Sequence, residues 1–119
     1  MKRLLTASVL LVLALALGTS TVSGAGEPQK RTVKVEDNFF GPTKLTVNKG
    51  STITFQWPET SDTHDVLLKK GPPGARTFSS PEIAGSSFRY RTKLSRSGRY
   101  QVTCTLHETE MNMTITVRK

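Results

Sequence analysis

From Thr32 onward the chain alternates apolar and polar residues in short runs, broken by Gly, Pro, Asn and Ser. Thr32–Glu36, Leu45–Val47 and Ser51–Trp57 each place apolar side chains at every second position, the mark of a strand with one buried face. Between the second and third of these, Asn48-Lys49-Gly50 offers residues that tolerate a left-handed backbone, which predicts a hairpin. Asp65–Leu68 is expected to form a short strand. Gly71-Pro72-Pro73-Gly74 then forbids regular structure and predicts a surface loop, irregular to about Ser86. Ser87–Leu94 alternates around Phe88 and Tyr90, Ser97-Gly98 turns, and Arg99–Cys104 sets Tyr100, Val102 and Cys104 on one face. A last strand carries Met113, Ile115 and Val117 on one side. No stretch after the N-terminus has a 3.6-residue period. Short strands at regular intervals imply an all-β fold, a β-sandwich.

The N-terminus is of a different kind. Lys2 and Arg3 precede the apolar run Leu4–Leu17 and a small, polar stretch to Gly26, the order of a secretory signal peptide. The run is short for a bilayer, which needs roughly 20 apolar residues. Residues 1–25 are therefore expected to be a leader cleaved near Ala25, and 26–119 a single domain with one core. The protein is expected outside the cytoplasmic membrane, periplasmic or extracellular, with no stable membrane insertion after cleavage.

Charge and cysteine usage sharpen this. Of seventeen Lys and Arg, fifteen remain without Lys2 and Arg3, against nine Asp and Glu, so the domain is basic. Cys104 is the only cysteine, so no intramolecular disulfide can staple it. A lone thiol in an oxidising compartment needs burial or ligation to persist.

Two histidines are present, and one lies in Cys104-Thr105-Leu106-His107-Glu108-Thr109-Glu110-Met111-Asn112-Met113, which puts a thiolate, an imidazole and a thioether on one loop between strands. His64 stands just before an apolar strand, forty residues ahead of Cys104. Two imidazoles, a thiolate and a weak axial thioether form the set expected of a copper electron-transfer site. Zinc more often takes four strong ligands at other spacings.

Asp37-Asn38-Phe39-Phe40-Gly41-Pro42, Leu45 to Phe55, the His64 region, Phe78-Ser79-Ser80, Gly85 to Phe88 and Gly98 to Cys104 together resemble the plastocyanin-like and azurin-like cupredoxins, over nearly the whole domain. The resemblance implies a Greek-key β-sandwich and one copper ion, cycling between Cu(I) and Cu(II), on His64, Cys104, His107 and a methionine. Met111 is preferred as that methionine, because Met113 falls in register with Ile115 and Val117 as a core residue. The resemblance also implies electron exit through His107. Three positions depart from the family. Leu106 stands where Pro is common before the loop histidine, Asp65 replaces a frequent Asn after the first histidine, and Met111 and Met113 bracket the usual spacing. Asp65 can accept a hydrogen bond from Thr105 but cannot donate one.

No catalytic triad, phosphate loop or paired catalytic carboxylates are present, so an enzyme is not expected. Nor do basic and aromatic residues interleave as nucleic-acid binding would require. Glu59, Asp62, Asp65, Glu108 and Glu110 cluster near the two histidines, which predicts an acidic pole on a basic protein and a redox partner protein of basic character. The reading from sequence is a monomeric one-electron carrier, with a copper capture and delivery module as the alternative.

Overall fold

The computed structural model describes residues 26–85 and 87–119 together with Gly18; the leader expected over residues 1–25 lies, apart from Gly18, outside the described residues. No helix among the described residues is long and apolar enough to cross a membrane. Eight strands form: β1 Lys30–Glu36, β2 Phe39–Gly41, β3 Lys44–Asn48, β4 Ser51–Gln56, β5 Leu67–Lys70, β6 Arg89–Leu94, β7 Gly98–Thr103 and β8 Asn112–Arg118. They make two four-stranded sheets, ordered β2-β1-β4-β6 and β3-β8-β7-β5. The all-β sandwich expected from the alternation is the observed fold.

Alternation explains the core. In β4, Ser51, Ile53 and Phe55 are buried while Thr52, Thr54 and Gln56 are half-exposed. In β8, Met113, Ile115 and Val117 turn inward. Phe40 meets Phe55 edge-on at 6.2 Å between ring centroids, and Trp57 meets Phe88 at 5.2 Å. Such pairs add about 1 kcal/mol beyond the area they bury. The buried Tyr100 donates its hydroxyl to the Arg96 carbonyl at 2.8 Å, so its polar end is satisfied.

The hairpin expected at Asn48-Lys49-Gly50 does not form. β3 pairs in parallel with β8, and β4 pairs with β1 and β6, so the connection arches from one sheet to the other. The Lys49 N–H reaches the Arg118 carbonyl while the Gly50 N–H reaches that of Leu94, one bond to each sheet. Gly50 has φ 87°, the left-handed geometry this corner needs. The strand expected at 65–68 is displaced to Leu67–Lys70. A short hairpin not anticipated joins β1 to β2 through Asp37 and Asn38, with Asn38 at φ 68°.

β1 and β4 run parallel and both finish at one end of the sandwich; β7 finishes and β8 begins there too. The loops at that end hold Asp37, His64 and the segment from Cys104 to Met111.

Candidate metal centre

Cys104 follows directly on β7, and its side chain is fully buried, continuing the inward face of Tyr100 and Val102. The loop after it is built from backbone bonds: the His107 N–H donates to the Cys104 carbonyl at 3.2 Å, and the Met111 N–H to that of His107 at 2.8 Å. The Cys104 N–H donates to the Met111 carbonyl at 3.0 Å, closing the loop where β8 starts. The Asn112 amide also donates to the Glu108 carbonyl at 2.7 Å. This tight turn brings His107 back over Cys104 although three residues separate them.

His64 arrives from the other side. It forms an isolated bridge with Ile83, its N–H on the Ile83 carbonyl at 3.0 Å and the Ile83 N–H on its own at 2.9 Å. Its ring is buried, whereas that of His107 is half-buried, and the two rings stand 4.9 Å apart. Sγ of Cys104 lies 4.0 Å from Nδ1 of His64 and 3.6 Å from Nδ1 of His107. One donor atom from each of the three residues falls within 4.8 Å of the others. A metal bonded to two nitrogens and a sulfur in one plane, with bonds of about 2.0 and 2.3 Å, would separate sulfur from nitrogen by about 3.7 Å. The observed 3.6 and 4.0 Å fit that requirement. Two imidazoles and a thiolate suit copper in a trigonal set.

Met111 is fully buried on the same loop, while Met113 sits in β8 opposite Val102. That register places Met113 with the core strand, as the sequence implied.

The second ring nitrogen of His64 has its own partner. Nε2 stands 2.8 Å from Oδ1 of Asp37, which fixes the tautomer that leaves Nδ1 free to ligate. Asp37 also accepts from the Ser61 N–H at 3.0 Å, the Ser61 hydroxyl at 2.8 Å and the Asp62 N–H at 3.1 Å. The His64 contact first, and these bonds after it, hold the Asp37 carboxyl far below the usual carboxylate range. Asp37 was not singled out from sequence, and nothing in the pattern marks a contact across 27 residues.

Asp65 has a structural task. It is buried and accepts from the Thr105 N–H at 2.7 Å and the Thr105 hydroxyl at 2.5 Å, clasping the His64 segment to the Cys104 loop. It therefore drops out of the surface acidic cluster expected from sequence, which leaves Glu59, Asp62, Glu108 and Glu110 exposed. Burial pushes the Cys104 thiol up; backbone hydrogen bonds from Asp65 and Leu106 oppose this, and the Asp65 carboxylate adds to it. Leu106, which precedes His107 in place of the family's common proline, is exposed.

Solved structures of known proteins share this fold. A pseudoazurin from Sinorhizobium meliltoi superposes with a TM-score of 0.64 at 22% identity, covering 76% of this chain and 75% of that one. A reduced amicyanin variant gives 0.63 at 22% identity, over 75% and 82%. A copper-containing nitrite reductase from Thermus scotoductus SA-01 gives 0.61 at 27%, covering 82% of this chain but 24% of that enzyme. No curated protein matches the chain. The family profile described as copper binding proteins, plastocyanin/azurin family, matches residues 27–118. With three donor residues brought together by one turn and one bridge, and that match over residues 27–118, the chain belongs to the plastocyanin/azurin family of copper-binding proteins.

Proposed function

We propose that the protein is a one-electron carrier working outside the cytoplasmic membrane, with a single type 1 copper on His64, Cys104, His107 and Met111. The observation that carries this reading is the convergence of His64 Nδ1, Cys104 Sγ and His107 Nδ1 at one end of a rigid sandwich, two of the residues buried and the third half-buried. Copper bound there would supply a Cu(I)/Cu(II) couple. The chain's own part is to hold the donors still. His64 is fixed by its backbone bridge and by Asp37, the Cys104 loop by its backbone bonds, and the two segments by the Asp65 clasp. A donor set fixed by outer hydrogen bonds changes little between oxidation states, which favours rapid transfer.

His107 is the exit for the electron, since it alone of the three reaches solvent. The exposed Glu108 and Glu110 that follow it, with the exposed Glu59 and Asp62 in the segment leading to His64, suit a redox partner protein of basic character, because complementary potentials steer and orient encounters. The decisive measurement is the visible spectrum and voltammetry of the copper-loaded protein. A strong band lost in Cys104→Ser, with a reversible one-electron wave and fast self-exchange, is expected. A protein that takes up Cu(II) without a Cys104-dependent band is not a type 1 site. A coloured protein with slow exchange that hands copper to an apo-acceptor is a delivery module instead.

A further inference from the structure

The outer face of the β2-β1-β4-β6 sheet is used neither by the donor residues nor by the core. Its composition follows from the strand register. Thr52 on β4 lies between Lys30 on β1 and Lys93 on β6, and Gln56 lies between Lys34 and Arg89. Between these rows Thr54 separates Thr32 from Arg91. Residues paired across strands share a face, and Val33, Ile53 and Phe55 occupy the opposite, inner one. All five cations are exposed. The flanking strands are two spacings apart, about 10 Å, and Lys30 to Lys34 spans about 13 Å. The five therefore crowd one exposed sheet face.

Nothing neutralises them. The one ion pair among the described residues is His64 with Asp37, so none of the five has a carboxylate within 4 Å. Glu36 is the acid nearest in register, beyond the last row and opposite the exposed Phe39. Beside β6, a cleft of about 500 Å³ adds Arg76 and Arg96 to the same edge. Unpaired like charges at this density repel one another and lower stability, so a surface that keeps them suits an anionic counterpart.

We infer that this face docks the protein on an anionic phospholipid bilayer. A protein partner would need a desolvated apolar or aromatic anchor at the centre of the contact. The centre here is Thr52, Thr54 and Gln56, which offers none. An array of cations with no apolar anchor among its central residues, and a cleft only beside its β6 edge, can instead meet a plane of phosphate headgroups, and Phe39 at its margin suits the headgroup boundary. Because β1 and β4 lie in the docked face and end at the metal centre, the protein would rest on its side. His107 would then point along the membrane plane, toward a partner held at the same surface.

The test is co-sedimentation with vesicles of phosphatidylcholine alone and of equimolar phosphatidylcholine and phosphatidylglycerol. The protein is used as isolated from cells, in the same form for every variant, so the neutral vesicles subtract any contribution of the apolar N-terminal run. Wild type is expected on the anionic vesicles only, releasing as salt shortens the screening length to about 10 Å at 0.1 M. Arg89→Gln, Arg91→Gln and Lys93→Gln together should weaken partition on the order of a hundredfold. A charge-matched control with Lys44→Gln, Lys69→Gln and Lys70→Gln, on the other sheet, should bind nearly as wild type. Thermal melts and the copper band of both variants check that each is folded. Equal loss in the two variants would reduce the effect to net charge and overturn the assignment. So would wild type that ignores anionic vesicles, including the case where it is retained on polyglutamate, which would mark the face as one for acidic protein.

Discussion

Asp37 and His64 face each other across the end of the sandwich, carboxylate Oδ1 to imidazole Nε2 at 2.8 Å, with the aspartate on the turn after β1 and the histidine buried. The pair sets the ring's tautomer and rotation, so it acts on the metal through His64. Asp37→Asn keeps the shape and removes the charge. Copper affinity should fall about 10- to 100-fold, the usual effect of losing an outer partner of a metal-bound histidine. The reduction potential should rise, because a negative charge next to a ligand favours Cu(II). Competition titration against a chelator and voltammetry measure the two; an unchanged potential would make Asp37 a purely structural residue.

The same aspartate makes the metal-free protein acid-sensitive. Its carboxyl is held below the ordinary value, chiefly by His64 and then by Ser61 and Asp62. A depressed folded value means the unfolded chain takes up the proton first as pH falls. The stabilisation is thus complete well above about pH 4 and declines below it. The gap in melting temperature between wild type and Asp37→Asn should be steady from neutrality to about pH 5 and narrow from there downward. A gap that persists undiminished to about pH 3 would contradict this.

Burial holds the Cys104 thiol above its ordinary value of 9.0, so at neutral pH it keeps its proton until metal arrives. Ligation requires the thiolate, and copper uptake should release about one proton from this residue. Between about pH 7 and 8 apparent affinity should rise about tenfold per pH unit, readable by titration in weak buffer. The metal-free protein should lose stability as pH climbs past the thiol's ordinary value, because the unfolded chain ionises first. Uptake without proton release would mean that the sulfur is not a ligand.

Met111 and Met113 are two residues apart and both buried, yet Met111 closes the donor loop and Met113 faces Val102 within the sheet. Met111→Leu should keep the colour and raise the reduction potential, since a weak donor to Cu(II) is lost. Met113→Leu should leave the potential alone and change stability by under about 1.5 kcal/mol. A potential that moves with Met113 alone would reassign the fourth ligand.

Gly98 begins β7 at φ 134°, and a Cβ there would lie 2.6 Å from Cβ of Pro72. The turn and the Gly71–Gly74 loop are packed against each other through that missing atom. Gly98→Ala should cost about 2 kcal/mol or more, from backbone strain and the clash together. In a domain of this size that lowers the melting temperature by about 10 °C, with the copper band intact. A melt within a degree or two of wild type would mean the loop simply shifts aside.

Strands were legible from the sequence because alternation reports burial directly, as in β4 and β8. Partners were less so. Leu45–Val47 and Ser51–Trp57 read as two arms of a hairpin, since period two tells which side of a strand is buried but not which strand lies beside it. β2 was invisible for another reason: three residues cannot display a period. Among site residues, His64, Cys104 and His107 stood out because both residue types are rare in the chain and each thus carries information. Asp37 and Asp65 belong to a common type, and their tasks depend on contacts 27 and 40 residues away. From sequence Asp65 counted both as surface charge and as an acceptor for Thr105; the fold bears out the second role and, by burying the carboxylate, removes the first.

The isolated bridge that delivers His64 lies outside the eight strands, whereas Cys104 and His107 belong to the β7–β8 connection. A metal joining them ties together points forty residues apart along the chain, in a protein whose single cysteine rules out a disulfide. Copper is then also a reversible cross-link. It closes a long loop, favours the folded chain by mass action, and comes undone only when the ion leaves. Resistance to unfolding and the proposed electron transfer would accordingly share one set of bonds, so copper starvation would loosen the architecture as well as empty the metal centre.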